Sequence, residues 1–382
     1  MKVVIAIDSF KGSLRSMEAG EAARRGILRA MEAEIVVKPL ADGGEGTVEA
    51  LVTGLGGSFR SVEVEGPLGK ATRARYGILP DGKTAVMEMA EASGITLVPR
   101  NELDPRRAST VGVGQMILDA IQTGCRDFLI GIGGSATTEG GIGMLSALGW
   151  AFFDEAGALL PPVFSSLGKI ARIEAERVRP ALRDCRFRIA CDVTNPLCGE
   201  RGAVAVYGPQ KGVKPGEIEE MDAALRHYAR SAEAFSGKRC MDAPGAGAAG
   251  GLGFAFLNFL PNVELRSGID IVLEAVGLEA ALRDADLVVT GEGRLDGQTA
   301  MGKVPVGVAK LAKRHGCRVL AFAGGVTEDA GACNAAGIDA FFPIVRDVTT
   351  LEEAMKPETA RRSMELAVEQ VFRLLSAQGG TP

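Results

Sequence analysis

Histidine is nearly absent: the 382 residues hold two, His227 and His315. Both sit in charged stretches of helical pattern, Leu225 to Arg230 and Lys310 to Arg314, and read as surface residues. A Ser-His-Asp hydrolase or a His-ligated metal site has little to build on, so proton transfer falls to carboxylates or lysines. The seven cysteines are scattered and form no C-x-x-C, which argues against zinc and thiol-redox motifs. Free thiols fit a reducing cytosol, so a cytoplasmic location is expected. Aromatics are 5% of the chain, too few for a base-stacking platform. The net charge of -5 comes without a basic stripe, so no nucleic-acid partner is expected. Six arginines fall between Arg172 and Arg188, but acids are interleaved, and the stretch reads as a solvated helix face. No apolar run approaches the ~18 residues of a membrane span. The first one, Val3 to Ile7, is too short for a signal peptide.

Glycine, by contrast, is abundant, at 51 residues clustered between short apolar runs. With 46% hydrophobic and 24% charged residues the chain can bury a large core, and roughly two or three domains at ~150 residues each are expected. Val3–Ile7 reads as a buried strand, followed by a helix over 16–31, a strand over 35–40 and a helix over 47–55. Strand–loop–helix repetition of this kind builds a parallel sheet. Alternation at Val62/Val64, Ala74/Tyr76/Ile78 and Ala85/Met87/Met89 predicts an antiparallel meander. A helix over 110–123 leads into a strand at 127–131, and a short strand is expected at 187–191. Helices near 215–235 and 269–282 come next. The last third alternates again: strand 287–290, helix 304–315, strands 318–322 and 340–345, and a helix over 358–375 before a frayed tail. Both ends thus look like parallel-sheet units and the middle differs. The expectation is an α/β fold of two domains around a cleft. A discontinuous domain of 1–60, 100–150 and 280–382 would hold the mostly parallel sheet, with a second α/β domain, 61–99 and 151–279, inserted.

Carboxylates and lysines stand among glycines at several strand ends. Pro39-Leu-Ala-Asp-Gly-Gly-Glu-Gly-Thr47 carries Asp42 and Glu45 between a strand and a helix. A helix start attracts anions, so two acids there would repel a phosphate unless a divalent metal sat between. The plainer reading of one such loop is a tight turn with solvated acids. Recurrence weighs against it: Asp8-Ser-Phe-Lys-Gly-Ser13, Cys191-Asp-Val-Thr-Asn-Pro-Leu-Cys198, Gly208-Pro-Gln-Lys-Gly212 and Gly291-Glu-Gly-Arg-Leu-Asp296 share the pattern. In open α/β sheets ligands bind at the C-terminal edge, so the set points to phosphate-and-metal chemistry. Gly297-Gln-Thr-Ala-Met-Gly-Lys303 begins like a P-loop, but Val304 replaces the Ser or Thr that holds magnesium. The strand before it also ends early, so a true P-loop is rejected while Lys303 stays a phosphate candidate. Gly245-Ala-Gly-Ala-Ala-Gly250 matches a dinucleotide fingerprint without the preceding strand. Close packing, or a loop over a ligand, is the better reading.

In order along the chain, DSFKGS (8–13), PLADGGEGT (39–47), GIGGSATTEGG (131–141), ACDVTNPLCG (190–199), YGPQKG (207–212), GAGAAGGLG (245–253) and TGEGRLDGQTAMGKVPVGVA (290–309) resemble the bacterial glycerate kinase family, type I. The resemblance runs nearly the full length, and the last block is the most specific. Glu139 departs from the family's frequent aspartate, which weighs against a metal role at 139. The resemblance implies two α/β domains around a cleft, one of them Rossmann-like. It also implies ATP-dependent phosphorylation of D-glycerate, with 2-phosphoglycerate favoured over 3-phosphoglycerate. The implied cofactors are ATP and Mg2+, in a monomer or homodimer without a membrane partner. Phosphoryl transfer rests on positioning and charge neutralisation, and needs no histidine. Asp192 is the candidate base, with Asn195 nearby to orient substrate or metal. Lys11, counted as catalytic too, and Arg294 are candidates for the substrate carboxylate, with Asp8, Ser9 and Asp42 lining the same substrate. Asp42, Glu45, Glu292 and Asp296 are the metal candidates. Gly133, Gly134, Ser135, Thr137, Thr138, Lys211 and Lys303 are candidates for the ATP phosphates. The alternatives are a kinase of another small hydroxy acid or polyol, and a non-catalytic metabolite-binding protein.

Overall fold

The computed structural model describes residues 1–378; the Gly379–Pro382 tail, expected to fray, lies outside the described residues. Its strands, in chain order, are β1 (Lys2–Ile7), β2 (Glu34–Pro39), β3 (Ser58–Glu65), β4 (Ala71–Ile78), β5 (Thr84–Glu88), β6 (Asp127–Gly131) and β7 (Ala151–Phe153). They continue with β8 (Arg172–Glu174), β9 (Arg186–Ala190), β10 (Val263–Arg266), β11 (Leu287–Leu295), β12 (Arg318–Val326) and β13 (Ala340–Pro343). The chain forms two compact units: residues 1–42, 49–55 and those from 269 onward in one, 43–48 and 56–268 in the other.

The first unit is built on a five-stranded sheet in the order β13-β12-β11-β1-β2, parallel throughout. β1 is central, and Val3, Val4, Ile5, Ala6 and Ile7 are all buried. A parallel strand covered on both faces needs such an uninterrupted apolar run. The helix Ser16–Ala30 lays Ala19, Ala22, Ala23 and Ile27 on the sheet beside Met364, Val368 and Phe372 of the helix Pro357–Gln378. Gly26 lets these helices meet: a Cβ there would lie 2.5 Å from the Glu365 carbonyl oxygen. Each large apolar side chain enclosed this way contributes about 1.5–3 kcal/mol.

Counted along its own strands, this sheet runs 2-1-3-4-5, with the reversal between β1 and β11. That reversal is where doubly wound sheets open a crevice at the strands' carboxyl ends. β11 runs to Leu295, five residues beyond the expected end at Thr290, through Gly-Glu-Gly-Arg. The glycines belong there for steric reasons. A Cβ on Gly291 would lie 2.0 Å from the Phe322 carbonyl oxygen, and one on Gly324 would lie 2.6 Å from that of Gly293. Parallel pairing of β11 with β12 overrides their weak strand preference.

The second unit carries a six-stranded sheet, β10-β9-β6-β5-β4-β3. The β3–β4–β5 meander is antiparallel, as the alternation predicts, and β5, β6, β9 and β10 are parallel. Residues 100–150, expected with the terminal segments, contribute β6 here, paired between β5 and β9. The stretch from Arg172 to Arg188 is not a helix face: it supplies β8, a short 3-10 turn at Pro180–Asp184, and most of β9. Phe128 stacks on Phe187 at 4.9 Å between ring centres, and the core extends through Phe254, Phe256 and Tyr228. No helix among the described residues is long and apolar enough to cross a membrane.

Candidate active site

In the first unit the reversal between β1 and β11 gathers the charged loops. Asp8 follows β1 directly, and its N–H donates to the Gly291 carbonyl at 2.9 Å. Its carboxylate is enclosed, 6% exposed, and accepts the Ser9 N–H at 2.7 Å. Burial pushes the Asp8 carboxyl up to about 7, helped by the negative charges of Asp42 and Glu292. On β11 itself, burial also raises Glu292, which accepts the Thr299 hydroxyl at 2.6 Å. Asp296 accepts the Thr299 N–H at 3.1 Å, so Thr299 ties the two acids together.

Cations stand beside these acids. Lys11 Nζ lies 3.3 Å from Asp42, with both side chains reaching solvent. Arg294 Nε and Lys303 Nζ lie 3.9 and 3.6 Å from Asp296. Exposed pairs of this kind are worth little to stability, about 0–1 kcal/mol. Their value lies in holding cationic and anionic groups ready for a ligand. Lys303 precedes the helix Val304–Arg314, where an anion would also meet the helix dipole.

In the second unit, loops leave β5, β6 and β9 at their carboxyl ends. Gly43 and Gly46 of the 43–48 segment adopt φ of +88° and +89°, the conformation that favours glycine. Glu45 there is exposed. Glu88, which the sequence did not single out, ends β5 and accepts the Val48 N–H at 3.0 Å. After β6, Gly133 and Gly134 are exposed, and among the described residues the N–H groups of Gly133, Gly134 and Ser135 donate to no protein acceptor. The turn is held from outside instead, by Ile95 N–H to the Gly134 carbonyl (2.8 Å) and Ala136 N–H to the Ser93 carbonyl (2.9 Å). A run of unpaired N–H groups on an exposed glycine turn is suited to anions.

Two buried charges support this loop. Lys211 is 1% exposed, and its ammonium donates to Ser135 Oγ at 2.7 Å and to the Thr137 carbonyl at 2.6 Å. Burial pushes Lys211 down to about 7, with Glu139 opposing. Glu139 is enclosed and accepts four donors: Thr110 N–H and hydroxyl, Gly141 N–H and Gly143 N–H. Burial raises its carboxyl and those bonds resist the shift. It pins the start of the helix Ile142–Leu148 to that of Val111–Gln122. The Gly245–Gly250 motif packs beneath the same loop: a Cβ on Gly250 would lie 2.1 Å from the Thr137 carbonyl oxygen.

Past β9, Asp192 is exposed and accepts the Gly268 N–H at 3.0 Å. The Asn195 amide donates to the Arg201 carbonyl at 2.8 Å and accepts the Tyr207 hydroxyl at 2.7 Å. Asp8, Ser9, Lys11, Asp42, Glu292, Arg294, Asp296 and Lys303 thus fall in the first unit, and Glu45, the 133–138 loop, Asp192, Asn195 and Lys211 in the second. Thr299 and Tyr207 were missed. Thr299 lies within the P-loop-like stretch, and a hydroxyl three residues past Asp296 was a readable capping signal. Tyr207 opens the YGPQKG block, but no role was expected of it.

Among the described residues no three His, Cys, Asp or Glu side chains form a ready metal cage. Magnesium carried by a nucleotide needs none, since one or two carboxylates suffice beside phosphate oxygens and water. Glu292 and Asp296, hard-oxygen donors fixed by a shared Thr299, suit that role.

Comparison with known proteins gives the family. The model of the glycerate kinase family matches residues 3–376. A glycerate kinase of Bacillus subtilis (strain 168) is 45% identical over 97% of this chain and 97% of its own. A glycerate 2-kinase of Escherichia coli (strain K12) is 46% identical over 93% of each chain. A crystal structure from Salmonella typhimurium LT2, provisionally assigned as a glycerate kinase 2, is 43% identical. It superposes with a TM-score of 0.91 over 99% of both chains. The chain belongs to the glycerate kinase family and is an enzyme of the kinase class.

Proposed function

We propose that the chain phosphorylates D-glycerate with ATP and yields 2-phosphoglycerate, in the cytoplasm. The observation that carries this reading is the cluster at the reversal of the first unit's sheet. There Lys11 and Arg294 can take a substrate carboxylate, while Asp8, Ser9 and Asp42 offer acceptors and a hydroxyl to a small polyol acid. The position of the new phosphate is favoured by the printed name of the Escherichia coli relative, a glycerate 2-kinase. The cysteines of the described residues are all unpaired, which suits a reducing compartment.

Asp192 takes the proton from the attacking hydroxyl, and Asn195, braced by Tyr207, lies three residues on to orient the same group. One observation favours a second assignment: Asp8 is an enclosed carboxylate at the place the first unit's topology marks for ligands. The loop from Gly133 to Thr138, with Lys211 beneath, takes the ATP phosphates. Magnesium, when bound, would neutralise phosphate charge, and Asp42, Glu45, Glu292 and Asp296 are the carboxylates to hold it. A panel of small hydroxy acids and polyols with Mg-ATP tests the reading. D-glycerate should show the highest kcat/KM, and a preference for another acceptor would overturn the substrate.

A further inference from the structure

Lys211 is an enclosed cation that forms no ion pair among the described residues. An unpaired buried charge is costly, so its position asks for a reason. Two of its three N–H bonds are spent on the 133–138 loop, on Ser135 Oγ and the Thr137 carbonyl. Because Ser135 Oγ accepts from Lys211, its own hydrogen is left to donate elsewhere. Ser135 is next to the exposed Gly133–Gly134 turn with its unpaired N–H groups. The Thr137 hydroxyl is buried without a partner. The loop is thus tied to a cation through Ser135 and Thr137, and the N–H groups of Gly133, Gly134 and Ser135 are left to donate.

We propose that Lys211 is a positioning residue. Its ammonium fixes Ser135 as a donor, and an anion bound on the loop and the proton on Lys211 stabilise one another. The proposal rests on the reading that this loop takes the ATP phosphates. Lys211 does not touch the nucleotide; it acts through Ser135 and through its charge. The other groups around it do not supply that charge. Glu139 is occupied by four donors. Tyr228, from the helix Ile218–Ser236, donates to the Gly140 carbonyl, and burial drives its phenol well above the usual value. In the segment beside Gly212, Asp104 accepts the Arg106 N–H, and Arg106 turns to Glu217 and Glu220. Burial lowers Lys211 toward neutrality in the free protein. An anion on the loop opposes that shift, so binding draws a proton from the buffer.

Titration calorimetry of the full chain with ATP tests this, in two buffers of different ionisation enthalpy, at about pH 8.5, where the phosphates are already deprotonated and Lys211 of the free protein is mostly neutral. The wild type should take up a substantial fraction of one proton per ATP. Lys211→Arg, which keeps its charge at all accessible pH, should bind ATP within several-fold of wild type with no proton uptake. Lys211→Met should lose about tenfold or more in ATP affinity. Absence of uptake in the wild type, or uptake unchanged in Lys211→Arg, overturns the proposal without any dependence on how Lys211→Met folds. Gly133→Val separates this from failure of the loop reading, because a Cβ at 133 meets nothing within 4 Å in the protein itself. If that variant binds ATP as tightly as wild type, the phosphates do not lie on the loop, and the coupling falls with that reading. If it binds weakly while the wild type takes up no proton, the loop reading stands and the role of Lys211 does not.

Discussion

Asp8 is enclosed at the end of β1, whereas Asp192 is exposed past β9. A catalytic base contributes ~10²–10⁴-fold, and isosteric amides separate the two. Asp192→Asn should lower kcat by that factor with little change in the KM for D-glycerate; near wild-type turnover would move the role to Asp8. In the proposed reading Lys11 and Arg294 serve substrate binding. Replacing either with Gln should raise the KM for D-glycerate ~10–100-fold, the worth of a hydrogen bond to a charged group at about 1.5–3 kcal/mol. Steady-state kinetics with glycerate varied reads this directly, and an unchanged KM in both variants would remove them from the site. The acids and cations of this site were legible in the sequence because each stands in a glycine-flanked loop after an apolar run. The partners Thr299 and Tyr207 were not legible in the same way, since hydroxyls are common and only the fold shows which one meets Glu292 or the Asn195 amide.

At the scale of the element, the glycines divide into two kinds. Gly291 sits where a parallel neighbour approaches, and a Cβ would meet the Phe322 carbonyl oxygen at 2.0 Å. Gly133 faces open space. Gly291→Ala should therefore cost at least the ~1–3 kcal/mol of an overpacked site, while Gly133→Ala should leave stability within about 0.5 kcal/mol. Urea unfolding of the two variants checks the contrast, and equal midpoints would contradict it. The same contrast explains what the sequence concealed. Glycine reads locally as a loop signal, so β11 was expected to stop at Thr290, yet pairing with β12 carries it on to Leu295. The meander of β3, β4 and β5 was legible because one-sided burial leaves a period of two. The arginine run at 172–188 misled because charge alternation suits an exposed strand as well as a helix face.

For the whole molecule, two buried groups with displaced titrations, Asp8 and Lys211, act on stability in opposite pH windows. Asp8 holds its proton up to about 7 when folded and loses it near 3.8 when unfolded. The folded state then binds more protons, so the Asp8 contribution falls as pH rises from about 4 to 7, by up to about 1.4 kcal/mol per pH unit. Lys211 loses its proton near 7 when folded and near 10.5 when unfolded, so its contribution grows as pH rises from about 7 to 10.5. Together they are least favourable near neutrality. Unfolding followed by denaturant across pH should show Asp8→Asn flattening the acid limb and Lys211→Met the alkaline limb; variants parallel to the wild type would contradict the assigned shifts. The parallel sheet of the first unit was expected from strand–loop–helix repetition. The placement of residues 100–150 was not, because strand order across a discontinuous chain is set by pairing partners far apart in sequence. The central claim is chemical, and ³¹P NMR of the purified chain with D-glycerate and Mg-ATP tests it most directly. The account predicts a phosphomonoester signal coupled to the proton on C2, that of 2-phosphoglycerate, growing as ATP is consumed; ATP left intact with no phosphoglycerate formed would contradict it.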